Sequence, residues 1–266
     1  MIDCSQILLV TDLDGTFFGR GARLIQRNLD AIADFKAHGG RFTTATGRIR
    51  QNIRQIIPWA AELFNAPVIT ANGAYLYDFA TGECCGAHAM DAQKVVELIT
   101  YVQRMNSHVS VRISTDKGYL VNADRLNDMV RMDLAHYADQ SGLEILPMSA
   151  WKTDAANWYK MVVRGNYEEL CALRPLVEAE FGNAFEYSTS SPTFFEIQAG
   201  GCTKATAMRK LADMLSATPG RPLTTVAVGD HGNDLPMLMA ADISACPDNA
   251  LAEVKEICTD SMCRSL

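Results

Sequence analysis

The sequence has 266 residues, of which 48% are apolar and 21% charged, an ordinary globular composition for one large domain or two moderate ones. Its net charge of −7 and its lack of a Lys/Arg cluster argue against nucleic acid or an anionic membrane as the main partner. No apolar run approaches the roughly 20 residues of a membrane span. No positive region precedes the first apolar run, so we expect no secretory signal. The eight cysteines show no C-x-x-C spacing, so we expect reduced thiols and a cytoplasmic protein.

The first eighty residues alternate between apolar strands and helical patterns. The continuous apolar run at 7–10 predicts a strand buried on both faces, as in a parallel sheet. Apolar spacing predicts a helix at 24–38, and further strands follow at 41–46 and 68–71 with a helix between them. This order of strands and helices is typical of a parallel sheet with helices on its faces.

From about Tyr75 the pattern changes to short strands mixed with helices, including predicted hairpins around 108–121 and 185–198. The first pattern then returns, with a helix beginning at Thr203 and another buried strand at 224–228. We therefore predict an α/β fold with a Rossmann-like parallel sheet core. Residues 1–80 and 195–266 form the predicted core, and residues 81–194 form an inserted α+β domain.

Polar residues follow the predicted core strands or begin a core helix, in four groups: Asp12 with Asp14; Thr46, Gly47 and Arg48; Lys204; and Asp230 with Asn233 and Asp234. Because the carboxyl ends of parallel strands share one edge of the sheet, we expect these groups to converge. Four carboxylates in one crevice repel each other unless a cation lies between them, and ligands that are all oxygen favour Mg²⁺.

The helix that Thr203 begins carries Lys204 in its first turn, where a cation opposes the helix macrodipole, so a bound anion would account for it. The hydroxyl of Thr46 and the amide of Gly47 suit phosphate oxygens. Each feature also has a structural alternative: a solvated surface lysine, a helix cap, or an Asp-Gly turn after the first strand. For Asn72, a position that faces the substrate has a structural alternative too, because Asn72 with Gly73 also fits a hairpin turn.

Taken together, these residues resemble a known family. DLDGT at 12–16, ATGR at 45–48, Lys204 and GDHGND at 229–234 are similar, in that order, to the four motifs of the haloacid dehalogenase (HAD) superfamily. NGA at 72–74 and the insertion after it resemble the Cof-like phosphatases within that superfamily. The insertion is similar to their C2-type cap in length, position and α+β character.

The resemblance implies a role for each matching residue. Asp12 is implied as the nucleophile that becomes an aspartyl-phosphate, and Asp14 as the general acid and base. Mg²⁺ would be bound by Asp12, Asp230 and the backbone carbonyl of Asp14. The implied phosphate-binding residues are Leu13 (backbone), Thr46, Gly47, Lys204 and Asn233. Asp234, Arg48 and Asn72 are implied to support the metal or to face the substrate, although a solvated helix start is an equal alternative for Arg48.

We therefore expect a Mg²⁺-dependent phosphomonoester hydrolase that acts on sugar phosphates or similar small phosphorylated metabolites. A phosphomutase or phosphotransferase on the same core is the first alternative. A phospho-accepting signalling module is a further alternative, which Asp14 and the insertion disfavour because a long-lived acyl phosphate needs no resident acid or base. The sequence leaves the substrate and the oligomeric state open.

Overall fold

The computed structural model describes residues 3–19, 23–137, 143–153, 157–218, 222–258 and 260–261, with only the backbone described at 134–137 and 260–261. The chain divides into two compact units. The core unit comprises residues 1–87 with 203–266, and the inserted unit comprises residues 88–202. None of the helices in the described ranges is both long and apolar enough to span a membrane.

The first segment of the core unit contains the three strands and two helices that the alternating pattern predicts, together with further short strands and one short helix. They are β1 (Ile7–Thr11), β2 (Phe18–Gly19), β3 (Arg23–Leu24), α1 (Gln26–Ala37), β4 (Arg41–Thr44), α2 (Arg50–Ile56), α3 (Ala60–Leu63), β5 (Val68–Thr70), β6 (Tyr75–Asp78) and β7 (Glu83–Ala87). β5, β6 and β7 form a three-stranded antiparallel sheet. It is joined to the main sheet through a bridge between Ala45 and Ile69.

The inserted unit is one six-stranded sheet with helices. Its elements are α4 (Ala92–Met105), β8 (Ser110–Thr115), β9 (Tyr119–Asn122), α5 (Asp128–Tyr137), β10 (Leu143–Leu146), β11 (Trp158–Arg164), α6 (Tyr167–Phe181), β12 (Phe185–Ser191) and β13 (Phe194–Ala199). The strand order is β10-β9-β8-β11-β13-β12, and only β10 pairs in parallel, with β9. This is the α+β character that the sequence predicts.

The second segment of the core unit completes the main sheet. It contributes α7 (Lys204–Met214), β14 (Thr224–Val228), α8 (Leu235–Ala240), β15 (Ile243–Cys246), α9 (Ala252–Ile257) and β16 (Asp260–Ser261). The sheet order is β16-β15-β14-β1-β4, and every pairing is parallel, so the predicted parallel core is confirmed. Apolar residues such as Leu8, Val10, Met208 and Leu211 pack into one core and hold α7 against the sheet. All five strands therefore end at one edge.

Along the chain, the boundaries between the two units lie at 87/88 and 202/203, whereas the sequence predicts boundaries at 80/81 and 194/195. The first boundary lies later because β7 pairs with β6 and so stays with the core unit. The second lies later because β13 pairs with both β11 and β12, which places it in the sheet of the inserted unit.

Candidate active site

Lys204 is the first residue of α7, and its side chain is 1% exposed. The helix begins there because Thr203 caps it: the hydroxyl of Thr203 accepts a hydrogen bond from the amide of Thr206. The Lys204 ammonium donates to Oδ1 of Asp12 and to Oδ1 of Asp234, each at 2.6 Å. Lys204 is therefore not a solvated surface lysine, and two buried carboxylates balance the cation that the macrodipole disfavours.

Burial and neighbouring charges alter the ionisation of this cluster. Burial alone would lower the pKa of Lys204, but the attraction of Asp12 and Asp234 outweighs it, so that pKa lies above its ordinary value. Burial raises the pKa of Asp12 to about 8 although Lys204 acts in the opposite direction, and the charges of Asp234 and Asp14 add to the rise. Burial therefore disfavours the ionised form of Asp12, and a further cation at the site would favour it.

Asp230 and Asp234 lie at the end of β14, the strand beside β1. Asp234 is fully buried, and its Oδ2 accepts hydrogen bonds from the amides of Asp230 and His231, both at 3.1 Å. Oδ1 of Asp230 accepts from the hydroxyl of Thr16 at 2.7 Å. Burial raises the pKa of Asp230, although the Thr16 hydrogen bond partly opposes this. Both side chains therefore have defined orientations.

One cluster of carboxylates among the described residues has the geometry of a metal site. Oxygen atoms of Asp12, Asp230 and Asp234 lie within 4.8 Å of one another. An all-oxygen donor set suits a hard divalent cation. The pKa values of Asp12 and Asp230 are raised, chiefly by burial and further by the charge of Asp234, and a bound cation would favour the ionised form of both. Asp234 is fully buried and accepts three hydrogen bonds, from Lys204 and from two backbone amides, whereas Asp230 is only half-buried, so Asp12 and Asp230 fit direct ligands better.

The loop after β1 comes very close to Asp230. Gly15 has φ +89°, and a Cβ atom there would lie 2.4 Å from Oδ2 of Asp230, so only glycine fits. Before it, Asp14 is half exposed and accepts two hydrogen bonds from Arg48, from Nε at 2.7 Å and from Nη2 at 2.8 Å. The structure thus places Arg48 on Asp14, and the side chain of Asp14 lies outside the metal cluster.

The loop after β4 contacts the hairpin turn between β5 and β6. The hydroxyl of buried Thr46 accepts from the amide of Arg48 at 3.2 Å, and its carbonyl accepts from the amide of Asn72 at 2.9 Å. Ala71 and Asn72 both have positive φ, +47° and +59°, a strained conformation for residues other than glycine. A Cβ atom at Gly73 would lie 2.3 Å from the carbonyl oxygen of Thr203. The Asn-Gly turn is therefore real, and it joins the Thr46 loop to the start of α7.

The remaining predicted phosphate ligands lie on the same loops. Leu13 is fully buried and follows Asp12, Gly47 follows Thr46, and Asn233 is half-buried in a 3₁₀ turn that ends at Asp234.

Asn249 is a site residue that the sequence does not indicate. It lies between β15 and α9, and its Nδ2 donates to the carbonyl of Gly15 at 2.8 Å and lies 3.4 Å from Oδ2 of Asp230. The signal that could have found it is weak: a short polar stretch, Pro247 to Asn249, that follows the last predicted core strand at the same sheet edge.

The chain is similar to several known proteins. A family profile described as haloacid dehalogenase-like hydrolase matches residues 9–263. The chain is 25% identical to an HMP-PP phosphatase from Yersinia enterocolitica over 94% of this chain and 86% of that protein. A haloacid dehalogenase-like hydrolase from B. subtilis has a similar structure, with a TM-score of 0.80, 21% identity, and coverage of 95% of this chain and 93% of the other. The sugar phosphatase BT4131, of HAD subclass IIB, has a TM-score of 0.76 at 21% identity, with coverage of 95% and 91%.

Proposed function

The chain belongs to the haloacid dehalogenase-like hydrolase family, and we propose that it is a Mg²⁺-dependent phosphatase that hydrolyses phosphomonoesters of sugars or similar small metabolites. The observation that carries the proposal is the buried ammonium of Lys204, which bridges Asp12 and Asp234 beside Asp230. A site that transfers a phosphoryl group mainly positions the substrate and neutralises its charge. This cluster has the charged groups for both tasks.

Asp12 is the proposed nucleophile. Its carboxylate oxygen attacks phosphorus, the bond from phosphorus to the ester oxygen breaks, and an aspartyl-phosphate results. Only the ionised carboxylate can attack. Burial disfavours that form, and the Lys204 ammonium at 2.6 Å favours it by opposing the rise in the Asp12 pKa, which still reaches about 8. A bound divalent cation, held by Asp12, Asp230 and the backbone carbonyl of Asp14, would supply further positive charge to the carboxylates and the phosphate.

Asp14 is the proposed general acid and base. Its protonated carboxyl gives a proton to the leaving alcohol, and its carboxylate then takes a proton from the water that attacks the aspartyl-phosphate. That second attack breaks the bond between phosphorus and the Asp12 oxygen and releases inorganic phosphate. The two hydrogen bonds from Arg48 hold the Asp14 carboxyl group in one direction, and a fixed direction is what proton transfer at a defined atom requires.

The phosphate would be held by groups on three loops. The backbone of Leu13, the hydroxyl of Thr46, the amide of Gly47 and the side chain of Asn233 can donate hydrogen bonds to its oxygens, and Lys204 adds charge. The strained turn at Asn72 supports this arrangement because it fixes the Thr46 loop through a 2.9 Å backbone hydrogen bond.

The proposed substrate class is supported by the names of two similar proteins, an HMP-PP phosphatase and the sugar phosphatase BT4131. The inserted unit is proposed as the cap that selects among substrates, in a cytoplasmic enzyme.

The test is phosphate release by the purified full chain from p-nitrophenyl phosphate, a panel of hexose and pentose phosphates, and HMP-PP. Each is measured with Mg²⁺ and with a chelator. We expect release with Mg²⁺ that stops on chelation, and faster turnover of one substrate group than of p-nitrophenyl phosphate. Transfer of the phosphoryl group to added sugar instead of water would identify a phosphotransferase. A phosphorylated protein that persists for minutes without releasing phosphate would identify a signalling module.

A further inference from the structure

Three loops of the core unit meet at the side chain of Asn249. They follow β1, β14 and β15, which lie side by side in the parallel sheet and end at the same edge. The Asn249 amide donates to the carbonyl of Gly15 in the first loop at 2.8 Å and lies 3.4 Å from Oδ2 of Asp230 in the second. A side-chain amide nitrogen carries two N–H groups, so it can serve both acceptors at once. One exposed side chain therefore links all three loops.

The backbone around Asn249 is held independently of this side chain. The amide of Ala250 donates to the carbonyl of Pro247 at 3.0 Å, and the amide of Leu251 donates to the carbonyl of Asp230 at 3.0 Å. Ala250 is also buried in the hydrophobic core of the unit. Shortening the Asn249 side chain therefore removes donors at the site while the loop keeps its own anchors.

Each of the two carboxylate oxygens of Asp230 faces a hydrogen-bond donor. Thr16 donates its hydroxyl hydrogen to Oδ1 at 2.7 Å, and Asn249 faces Oδ2. Gly15 lies so close that a Cβ atom there would be 2.4 Å from the same Oδ2. With Thr16 on one side and Asn249 on the other, the plane of the carboxylate is defined before any ion binds, which reduces the reorganisation that binding requires.

We propose that Asn249 is a positioning residue that holds the Asp230 carboxylate and the Gly15 loop in the orientation that receives the divalent cation. The inference rests on the proposed function, because it concerns the same metal site. Asn249 acts through Asp230 and need not touch substrate. Its loss should therefore appear in metal affinity first, and in the rate at saturating Mg²⁺ much less.

The test measures Mg²⁺ binding to the full chain by calorimetry, the melting temperature in a chelator, and kcat and KM for p-nitrophenyl phosphate. We expect Asn249→Ala to weaken Mg²⁺ binding by about 10–100-fold, the usual effect of losing a residue that orients a metal ligand. The metal-free melting temperature should change little, and kcat at saturating Mg²⁺ should recover most of its wild-type value. Asn249→Leu keeps the side-chain volume without the donors and should behave alike, which covers the case in which the alanine variant does not fold.

The matched control is Leu251→Ala, which trims a 40% exposed side chain on the same loop without changing charge. It should bind Mg²⁺ as the wild type does. The inference is overturned, and the proposed function stands, if the wild type binds Mg²⁺ and the Asn249 variants bind it equally well. A lower metal-free melting temperature with unchanged Mg²⁺ affinity would mean a purely structural role and would also overturn it. A wild type that binds no Mg²⁺ overturns both proposals.

Discussion

Replacing Lys204 by methionine tests whether its ammonium balances the buried carboxylates. Methionine keeps an unbranched apolar side chain of similar length but removes the charge that Asp12 and Asp234 share at 2.6 Å each. The variant leaves buried carboxylates without their cation, because the Lys204 side chain is 1% exposed and water cannot replace it. We expect a large loss of stability in the metal-free protein.

The size of the loss follows from the burial. Removing one partner of a buried ion pair costs about 3–5 kcal/mol. The core unit has about 150 residues, a size at which each kcal/mol shifts the melting temperature by roughly 2–4 °C. Lys204→Met should therefore lower the melting temperature by about 6–20 °C in a chelator. The loss should increase further above about pH 8, where wild-type Asp12 has released its proton but Asp12 in the variant still binds one.

The assay is thermal unfolding of both proteins in a chelator at several pH values, with chemical unfolding as a second probe. Lys210→Met is the control, because Lys210 lies on the same helix with an exposed side chain, and such surface changes usually stay within about 0.5 kcal/mol. If Lys204→Met and Lys210→Met melt together at every pH, the ammonium does not balance the carboxylates, and the described cluster is not the site we infer.

Three further predictions concern the same loops. Because the pKa of Asp12 is raised from 3.8 to about 8 in the folded state, its contribution to metal-free stability is full below pH 3.8 and is lost as pH rises to about 8. In a chelator, the free energy of unfolding measured with urea should therefore fall by up to about 1.4 kcal/mol per pH unit over that range. A free energy of unfolding that does not change with pH would contradict this. Gly15→Ala should weaken Mg²⁺ binding in calorimetry, because the new Cβ atom would lie 2.4 Å from Oδ2 of Asp230. The control is Gly82→Ala, which has a similar φ and no atom closer than 3.9 Å to the new Cβ, and it should bind Mg²⁺ as the wild type does. Equal Mg²⁺ affinities of the two variants would contradict the contact. Arg48→Met removes the two hydrogen bonds to Asp14, so it should slow hydrolysis of alkyl phosphates by roughly 10-fold, a part of the general acid factor. Hydrolysis of p-nitrophenyl phosphate should be slowed less, because its leaving group needs no acid. Equal slowing of both substrates would show that Arg48 does not orient Asp14.

Residues that combine a strong local pattern with a place at the sheet edge were predictable. The apolar run before Asp12 identifies β1, and the alternating order of strands and helices predicts a parallel sheet. The structure supplies the neighbours of β1 in that sheet, β4 and β14. Lys204 was indicated because a lysine in the first turn of a helix is electrostatically unfavourable without an anion. The structure gives it two anions of the protein itself, Asp12 and Asp234.

Features that depend on long-range contacts were not predictable in detail. Asn249 donates to Gly15 across 234 residues, and nothing in its neighbours marks it as a site residue. β10 was missed because its four residues are partly or fully exposed and pair only with β9 at the edge of the sheet. The sequence predicts the hairpin of β12 and β13, and the structure confirms it. The predicted boundary at 194/195 divided that hairpin, and the pairing of β13 with β11 and β12 places it in the inserted unit. The ion pair between Asp14 and Arg48 was not predictable either, because it forms only when the loops after β1 and β4 come together in the folded protein.

The central claim is that Asp12 takes up the phosphoryl group, and trapping that intermediate tests it most directly. Asp14→Asn should still react with p-nitrophenyl phosphate, whose leaving group needs no acid, but cannot activate water to hydrolyse the product. After acid quenching and proteolysis, mass spectrometry should find one phosphoryl group on the peptide that contains Asp12. The double variant with Asp12→Asn should carry none, and Asp12→Asn alone should release no phosphate. Phosphate release by Asp12→Asn at the wild-type rate, or a phosphoryl group on a different residue, would contradict the account.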